Sequence, residues 1–397
     1  MMFFGTLRSW LTVQHINYRN SIRSGYTGWF VSQPNLDSCQ SFPGLLSLTP
    51  GRQNSESCNM VEYSHLSEID PEIAPVVGAI PPLVLDKNSI NAVRQYLNGV
   101  IVPKLQSKFE PFLPQSSEYS VTDHHIDVGE GAKVLARSIV PSTRDGEDSF
   151  PLLFWIHGGF AMGNVDMDDY RLRIASVKLR LSIVNCEYRM PPEHQFPTAV
   201  DDLTAALKYV ASHPDVFSAS LKKGFILGGA SGGGNAAAVL SWIARDDPFF
   251  SDKPVTGQIL HVPVVCHYQA YPEKYRSSLL SLEQNKDAPL LTKDNIVKLM
   301  EFYNAPPEDP RISPLLLSSH KGLPPAFIQV CGLDPVRDDG LLYEKVLREA
   351  GVSTKLEVYP GAPHGFELSF FDVKQAVKCR DDFEKGLQWL IDIGRRS

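Results

Sequence analysis

Between Phe225 and Ala244 the chain runs for twenty residues without a charge, and five of the first ten are glycine (Gly228, Gly229, Gly232, Gly233, Gly234). The length is that of a bilayer crossing, about 20 residues. Glycine, however, costs about 1 kcal/mol per residue relative to alanine in a helix interior, so five of them argue against a spanning helix. The stretch divides instead into a buried strand at Phe225 to Leu227, a tight turn, and an alanine-rich helix from near Asn235. No other segment competes as a span, and the sequence reads as a soluble protein with no membrane span.

From about Glu118 onward the same alternation continues. Leu152 to Ile156, Leu181 to Cys186, Ile259 to Val265, Ala326 to Cys331 and Lys355 to Tyr359 read as strands. Several are apolar throughout, as strands covered on both faces are. Between them lie stripes at helical spacing: Val200, Leu203, Leu207 and Val210; then Leu342, Val346, Leu347 and Ala350, ended by Gly351; then Cys379, Phe383, Leu387, Leu390 and Ile391. Strand and helix in turn predict an α/β fold with a mostly parallel central sheet and helices on both faces. Residues 60–115 and about 268–308 break the rhythm, being helix-leaning and rich in proline and mixed charge. Inserts of that kind often cover a site at the carboxyl edge of such a sheet, and both are expected to form a cap on a catalytic domain over 116–397.

With 45 acidic against 38 basic residues, a net charge of −7, the chain gives little electrostatic help toward nucleic acid. Residues 1–59 differ from the rest: four arginines (Arg8, Arg19, Arg23, Arg52), no lysine and two acids (Asp37, Glu56). They are expected to form a disordered or transit-like extension. The location is then cytoplasmic, or mitochondrial if the extension acts as a transit peptide. The six cysteines lie far apart, with no C-x-x-C pair, and read as buried free thiols.

Gly229-Ala230-Ser231-Gly232-Gly233 is a G-x-S-x-G lying directly after a strand and before a helix. That context presents the serine hydroxyl at the edge of the sheet as a nucleophile. A serine hydroxyl is weak at neutral pH and needs a base, which in turn needs a group to fix its tautomer. His364, in Pro363-His364-Gly365-Phe366 just past the last strand, is the only histidine after His320. Asp334, in Gly332-Leu333-Asp334-Pro335 at the end of a strand, is the candidate third member. Asp338 and Asp339 fall where the next helix begins and read more simply as helix N-terminal acids. Gly158 and Gly159, in Ile156-His157-Gly158-Gly159-Phe160, with Gly232, are candidate backbone donors for a developing oxyanion. No metal site is expected: His124-His125 has no third ligand nearby.

Taken together, these motifs resemble the hormone-sensitive-lipase-like branch of the α/β-hydrolase fold, the family IV carboxylesterases. Glu187-Tyr188-Arg189-Met190-Pro191-Pro192-Glu193-His194 and Asp309-Pro310-Arg311-Ile312-Ser313-Pro314-Leu315 belong to the resemblance, which spans about residues 70–393. It implies a serine esterase with an N-terminal helical cap, acting on a small-molecule ester of short to medium acyl length or on a metabolite ester, without metal or cofactor. Two departures stand out. The family usually carries three small residues between the histidine and the aromatic, and here only Gly158 and Gly159 precede Phe160. The residue before the nucleophile is usually Asp in this branch and here is Ala230. On the other side of the serine Gly232 stands where alanine is commoner, which keeps the N–H intact. The alternatives are a non-catalytic small-molecule receptor on the same fold, or an amidase or tailoring hydrolase of secondary metabolism. Receptors of that kind have lost the histidine that stands here as His364.

Overall fold

The computed structural model describes residues 63–78, 80, 83–86 and 88–395; the extension expected over residues 1–59, with Cys39 and Cys58, lies outside them. Helices α1 (Ala74–Val77), α2 (Ile90–Tyr96) and α3 (Val102–Phe109) come first, the last two joined by a π-helical turn at Leu97–Ile101. Strands β1 (Tyr119–Gly129) and β2 (Ala132–Pro141) follow, then β3 (Leu152–Ile156), α4 (Asp169–Leu179), β4 (Ser182–Cys186) and α5 (Thr198–Ser212). After these come β5 (Phe225–Ala230), α6 (Gly232–Asp246), β6 (Gly257–His261), α7 (Ser281–Gln284) and α8 (Lys293–Tyr303). The chain closes with β7 (Ala326–Leu333), α9 (Arg337–Glu349), β8 (Thr354–Pro363), α10 (Phe366–Ser369) and α11 (Lys374–Gly394).

These strands form one eight-stranded sheet in the order β1-β2-β4-β3-β5-β6-β7-β8. β1 and β2 pair antiparallel, as do β2 and β4, and every later pairing is parallel. Parallel strands with helical crossovers need cover on both faces, and β3 shows how the sequence supplies it. All five of its residues are buried, and they alternate between two cores. Leu152, Phe154 and Ile156 share one core with Leu203 and Leu207 of α5 and with Ala237 and Leu240 of α6. Leu153 and Trp155 join the other, with Leu172 of α4 and Phe383, Leu387 and Leu390 of α11. The three stripes read from the sequence lie on α5, α9 and α11 and face inward, apart from the partly exposed end of the α9 stripe.

Strand boundaries depart from expectation where backbone geometry intervenes. β6 ends at His261 rather than Val265, because Val262 turns into the left-handed region (φ 43°) and Pro263 has no N–H for the ladder. β5 extends beyond Leu227 through Gly228, Gly229 and Ala230, which pair with β3 and β6 despite their small side chains. Residues 63–118 and the segment between β6 and β7 both hold helices, and the Asn295 side chain of α8 donates to the Leu83 carbonyl at 2.9 Å, so the two segments touch. Among the described residues no helix is long and apolar enough to cross a membrane. Cys186, Cys266, Cys331 and Cys379 are free and buried.

Trp155 and Phe383 meet edge to face at 5.5 Å where the sheet packs on α11. Phe383→Ala is expected to cost about 3–5 kcal/mol by removing that contact and leaving a cavity. A urea unfolding midpoint lowered accordingly would show it; an unchanged midpoint would mean that α11 does not anchor this face.

Candidate active site

Ser231 sits between β5 and α6 at φ 54° and ψ −114°, a backbone conformation that costs a non-glycine residue about 1–3 kcal/mol. Close packing holds it there. A Cβ on Gly233 would fall 2.1 Å from the Ile156 carbonyl oxygen, and one on Gly229 would fall 2.2 Å from the Gly233 carbonyl oxygen. No larger residue fits at either place, so α6 lies directly against the end of β3. The Ser231 N–H continues the ladder by donating to the His261 carbonyl at 2.8 Å.

The turn after β8 brings His364 to the serine, with Nε2 2.9 Å from Ser231 Oγ. On the other side of the ring Nδ1 lies 2.7 Å from Asp334 Oδ2. Asp334 is buried, and its second oxygen accepts the Val336 N–H at 2.9 Å, which leaves one oxygen aimed at the imidazole. Burial pushes the His364 pKa down. The Asp334 carboxylate, by charge and by hydrogen bond, and the charge of Glu367 outweigh it, so the ring titrates above the ordinary histidine value. The three residues named from the sequence therefore form one unbroken hydrogen-bonded relay.

Gly158 and Gly159 lie at the mouth of the same site, in the loop after β3. Gly158 packs so closely on β5 that a Cβ would come within 2.9 Å of the Ala230 carbonyl oxygen. The N–H groups of Gly158, Gly159 and Phe160 donate to no acceptor among the described residues. Gly232, the first residue of α6, has no intrahelical acceptor by its position. Buried N–H groups are nearly always paired in folded proteins, so donors left open here are free to meet a ligand oxygen. Phe160, whose N–H belongs to the same open cluster, was not singled out from the sequence. It is buried, stands at φ 46°, and approaches Gly232 so closely that a Cβ there would lie 2.7 Å from its ring and 3.0 Å from its nitrogen. The shortened glycine run was the signal, because it moves an aromatic into the place of a third glycine.

The remaining candidates have structural partners. Asp338 accepts the N–H groups of Leu280 and Ser281, and Asp339 those of Val265 and Cys266, so both brace loops from the start of α9. Burial pushes the Asp339 carboxyl up to about 7. His124 Nε2 meets Ser138 Oγ at 2.9 Å, and Arg189 forks onto Asp202. The Ser313 hydroxyl donates to the Pro307 carbonyl at 2.7 Å. Among the described residues the group spaced for metal ligation is His261, Glu367 and Cys379, all buried. His261 Nε2 already meets Glu367 at 2.8 Å, and the Arg171 guanidinium lies 3.9 Å from the same carboxylate. A cation would have to displace both.

A family model described as an α/β-hydrolase fold matches residues 153–368, which contain every residue of the relay and the glycine loop after β3. The chain belongs to the α/β-hydrolase family. Its branch is the hormone-sensitive-lipase-like one that its motifs indicate. Esterase LipI of Mycobacterium tuberculosis is 32% identical over 305 residues, covering 75% of this chain and 88% of that protein. An AB hydrolase superfamily protein of Schizosaccharomyces pombe is 36% identical over 284 residues, 71% of this chain and 83% of its own. Among solved structures, vibralactone cyclase superposes with a TM-score of 0.80 at 42% identity, covering 83% of this chain and 97% of its own.

The contact between Phe160 and Gly232 generates a prediction. Gly232→Ala is expected to lower stability by about 1–3 kcal/mol through overpacking against the ring. Phe160→Gly should abolish that penalty, so the double variant loses far less than the two single changes combined. Thermal unfolding of the four proteins measures this, and strictly additive losses would show that the two residues do not constrain one another.

Proposed function

We propose that this protein is a serine hydrolase that cleaves carboxylic esters through an acyl-enzyme. The ester-hydrolase class follows from the family and from relatives named as esterases. Support for the mechanism comes above all from one observation, the relay Asp334, His364, Ser231 with links of 2.7 and 2.9 Å. In this reading His364 Nε2 takes the Ser231 proton as Oγ adds to the ester carbonyl. The imidazolium so formed faces Asp334, and the negative charge on the former carbonyl oxygen is held by the N–H groups of Gly158, Gly159 and Gly232, with that of Phe160 beside them. Collapse expels the alcohol, which leaves with the proton returned by His364. Water then adds to the acyl-enzyme with His364 again as base. The helical segments before β1 and between β6 and β7 act as the cap over this site, and the substrate is a small ester of short to medium acyl length.

A second reading is favoured by the likeness to vibralactone cyclase. An acyl-enzyme opened by a hydroxyl of its own acyl chain, in place of water, closes a ring ester, with the proton passing to His364 in the same way. That chemistry uses the same residues and fits a tailoring role in the metabolism of small molecules.

Ser231→Ala should leave the fold intact and reduce p-nitrophenyl butyrate turnover to background, and a fluorophosphonate probe should label the native protein at Ser231 alone. Turnover retained in the alanine variant would refute the nucleophile. The pH dependence follows from the direction of the His364 shift. The base works as neutral imidazole, and its raised pKa keeps it protonated to higher pH. Activity is thus lost as pH falls through a midpoint above the ordinary histidine value of about 6.5. Asp334→Asn removes the raising charge, so the midpoint should move down while kcat falls by about 10⁴. A pH–rate profile with an unmoved midpoint would separate Asp334 from the base.

A further inference from the structure

We propose that Arg94, on α2 of the N-terminal helical segment, is a positioning residue that holds the oxyanion loop in its working shape and so makes the chemistry depend on the docking of that segment. The inference rests on the serine-hydrolase reading above. All five N–H donors of the Arg94 guanidinium are occupied. Nε donates to the Ala161 carbonyl at 2.8 Å, one residue beyond Phe160. One terminal nitrogen donates to Glu193 at 2.8 Å and to Asn91 at 3.3 Å, the other to the second Glu193 oxygen at 2.9 Å and to the Pro191 carbonyl at 2.8 Å. A planar fork bonded at every donor has little freedom to shift, so it fixes three pieces of chain relative to one another. These are α2, the Pro191 to Glu193 turn and the loop after β3.

A second tie lies one helical turn further on, where the Asn164 amide donates to Asn98 Oδ1 at 2.7 Å. Asn98 stands in the π-helical turn, and such turns are frequent at functional sites. The loop is therefore held from α2 and the π turn at both Ala161 and Asn164. Within the loop the Gly159 carbonyl accepts from Ala161 and Met162 and His157 Nδ1 lies 2.9 Å from the Gly158 carbonyl, while the Phe160 N–H meets no acceptor among the described residues. With Phe160 at φ 46°, the free loop gains by relaxing toward an ordinary conformation, which would carry the Gly159 and Phe160 N–H groups away from the oxyanion. Arg94 opposes that relaxation from outside the loop. It touches neither Ser231 nor His364 and acts only through the backbone it holds.

The test uses the full chain and p-nitrophenyl acetate, an ester too small to need the cap for binding. Arg94→Ala should lower kcat by about 10-fold to 100-fold, less than the loss of a direct oxyanion donor, with KM nearly unchanged. Added guanidinium should restore part of the rate, and the pH midpoint should stay where it is because the relay is untouched. Arg94→Lys, which cannot serve Ala161 and Glu193 together, should fall between and serves if the alanine variant does not fold. Glu193→Gln breaks the ion pair but leaves the bonds to Ala161 and Pro191, so its kcat should fall clearly less than that of Arg94→Ala. Wild-type kcat in Arg94→Ala, or equal losses in Arg94→Ala and Glu193→Gln that follow thermal stability, would overturn the proposal. Turnover surviving in Ser231→Ala would instead refute the underlying mechanism, whatever the Arg94 variants do.

Discussion

Where α6 meets the end of β3, two backbones are pressed together more closely than any residue but glycine allows. A Cβ on Gly233 would lie 2.1 Å from the Ile156 carbonyl oxygen. That contact fixes where the helix can begin, and the one residue left between strand and helix must take up the whole change of direction. Ser231 is that residue, and its positive φ is the consequence. The sheet turns this local constraint into a site. β3, β5, β6, β7 and β8 run parallel, so their carboxyl ends share one edge. The glycine loop follows β3, Ser231 follows β5, Asp334 follows β7 and His364 follows β8. Residues over 200 positions apart in sequence therefore converge without any of them leaving the turn after its own strand.

Charge is arranged with equal economy behind the histidine. Glu367, three residues beyond His364, is fully buried, and burial alone would push its carboxyl up. His261, by charge and hydrogen bond, and Arg171 more than compensate and hold it down at about 2. Arg171 in turn lies over the rings of both Trp155 and Phe383 and pairs with Asp168, which accepts the indole N–H of Trp155. The charged network thus passes through the core packing between the sheet and α11. Its effect on the site is electrostatic: Glu367 adds a second negative charge to that of Asp334, and the two keep a buried imidazole able to accept a proton.

What the sequence could reveal followed from how local each signal was. Ser231, Asp334 and His364 were legible because each lies at a strand end inside its own short motif, and the strands before Ser231 and Asp334 carry a clear apolar pattern. Arg94 was not. Its partners Glu193 and Ala161 are 99 and 67 residues away, and no periodicity links an arginine on one helix to a carbonyl in a loop. The roles of Asp338 and Asp339 were half legible: their place at the start of α9 could be read, but the loop N–H groups they accept come from 57 to 74 residues upstream. The π turn was not read from the sequence, although Asn98, Gly99 and Val100 are all poor helix formers.

The shortened glycine run and the glycine after Ser231, which look independent in the sequence, meet in space. Shortening the glycine run by a residue brings an aromatic side chain into the position where a third glycine would leave open room. The ring of Phe160 then lies against the α-carbon of the residue after the nucleophile, where a methyl group would meet it at 2.7 Å. An alanine there would have to displace the ring, so the side-chain-free Gly232 suits this loop. The N–H of residue 232 is untouched by either change, because it does not depend on the side chain, and that of residue 160 meets no acceptor among the described residues. The strain that Phe160 accepts at φ 46° is the cost of the shorter loop, and it is borne outside the loop, by Arg94 on Ala161 and by the aromatic contact with Tyr303 at 5.5 Å. A loop that no longer holds its own shape by glycine flexibility alone has to be held by its neighbours.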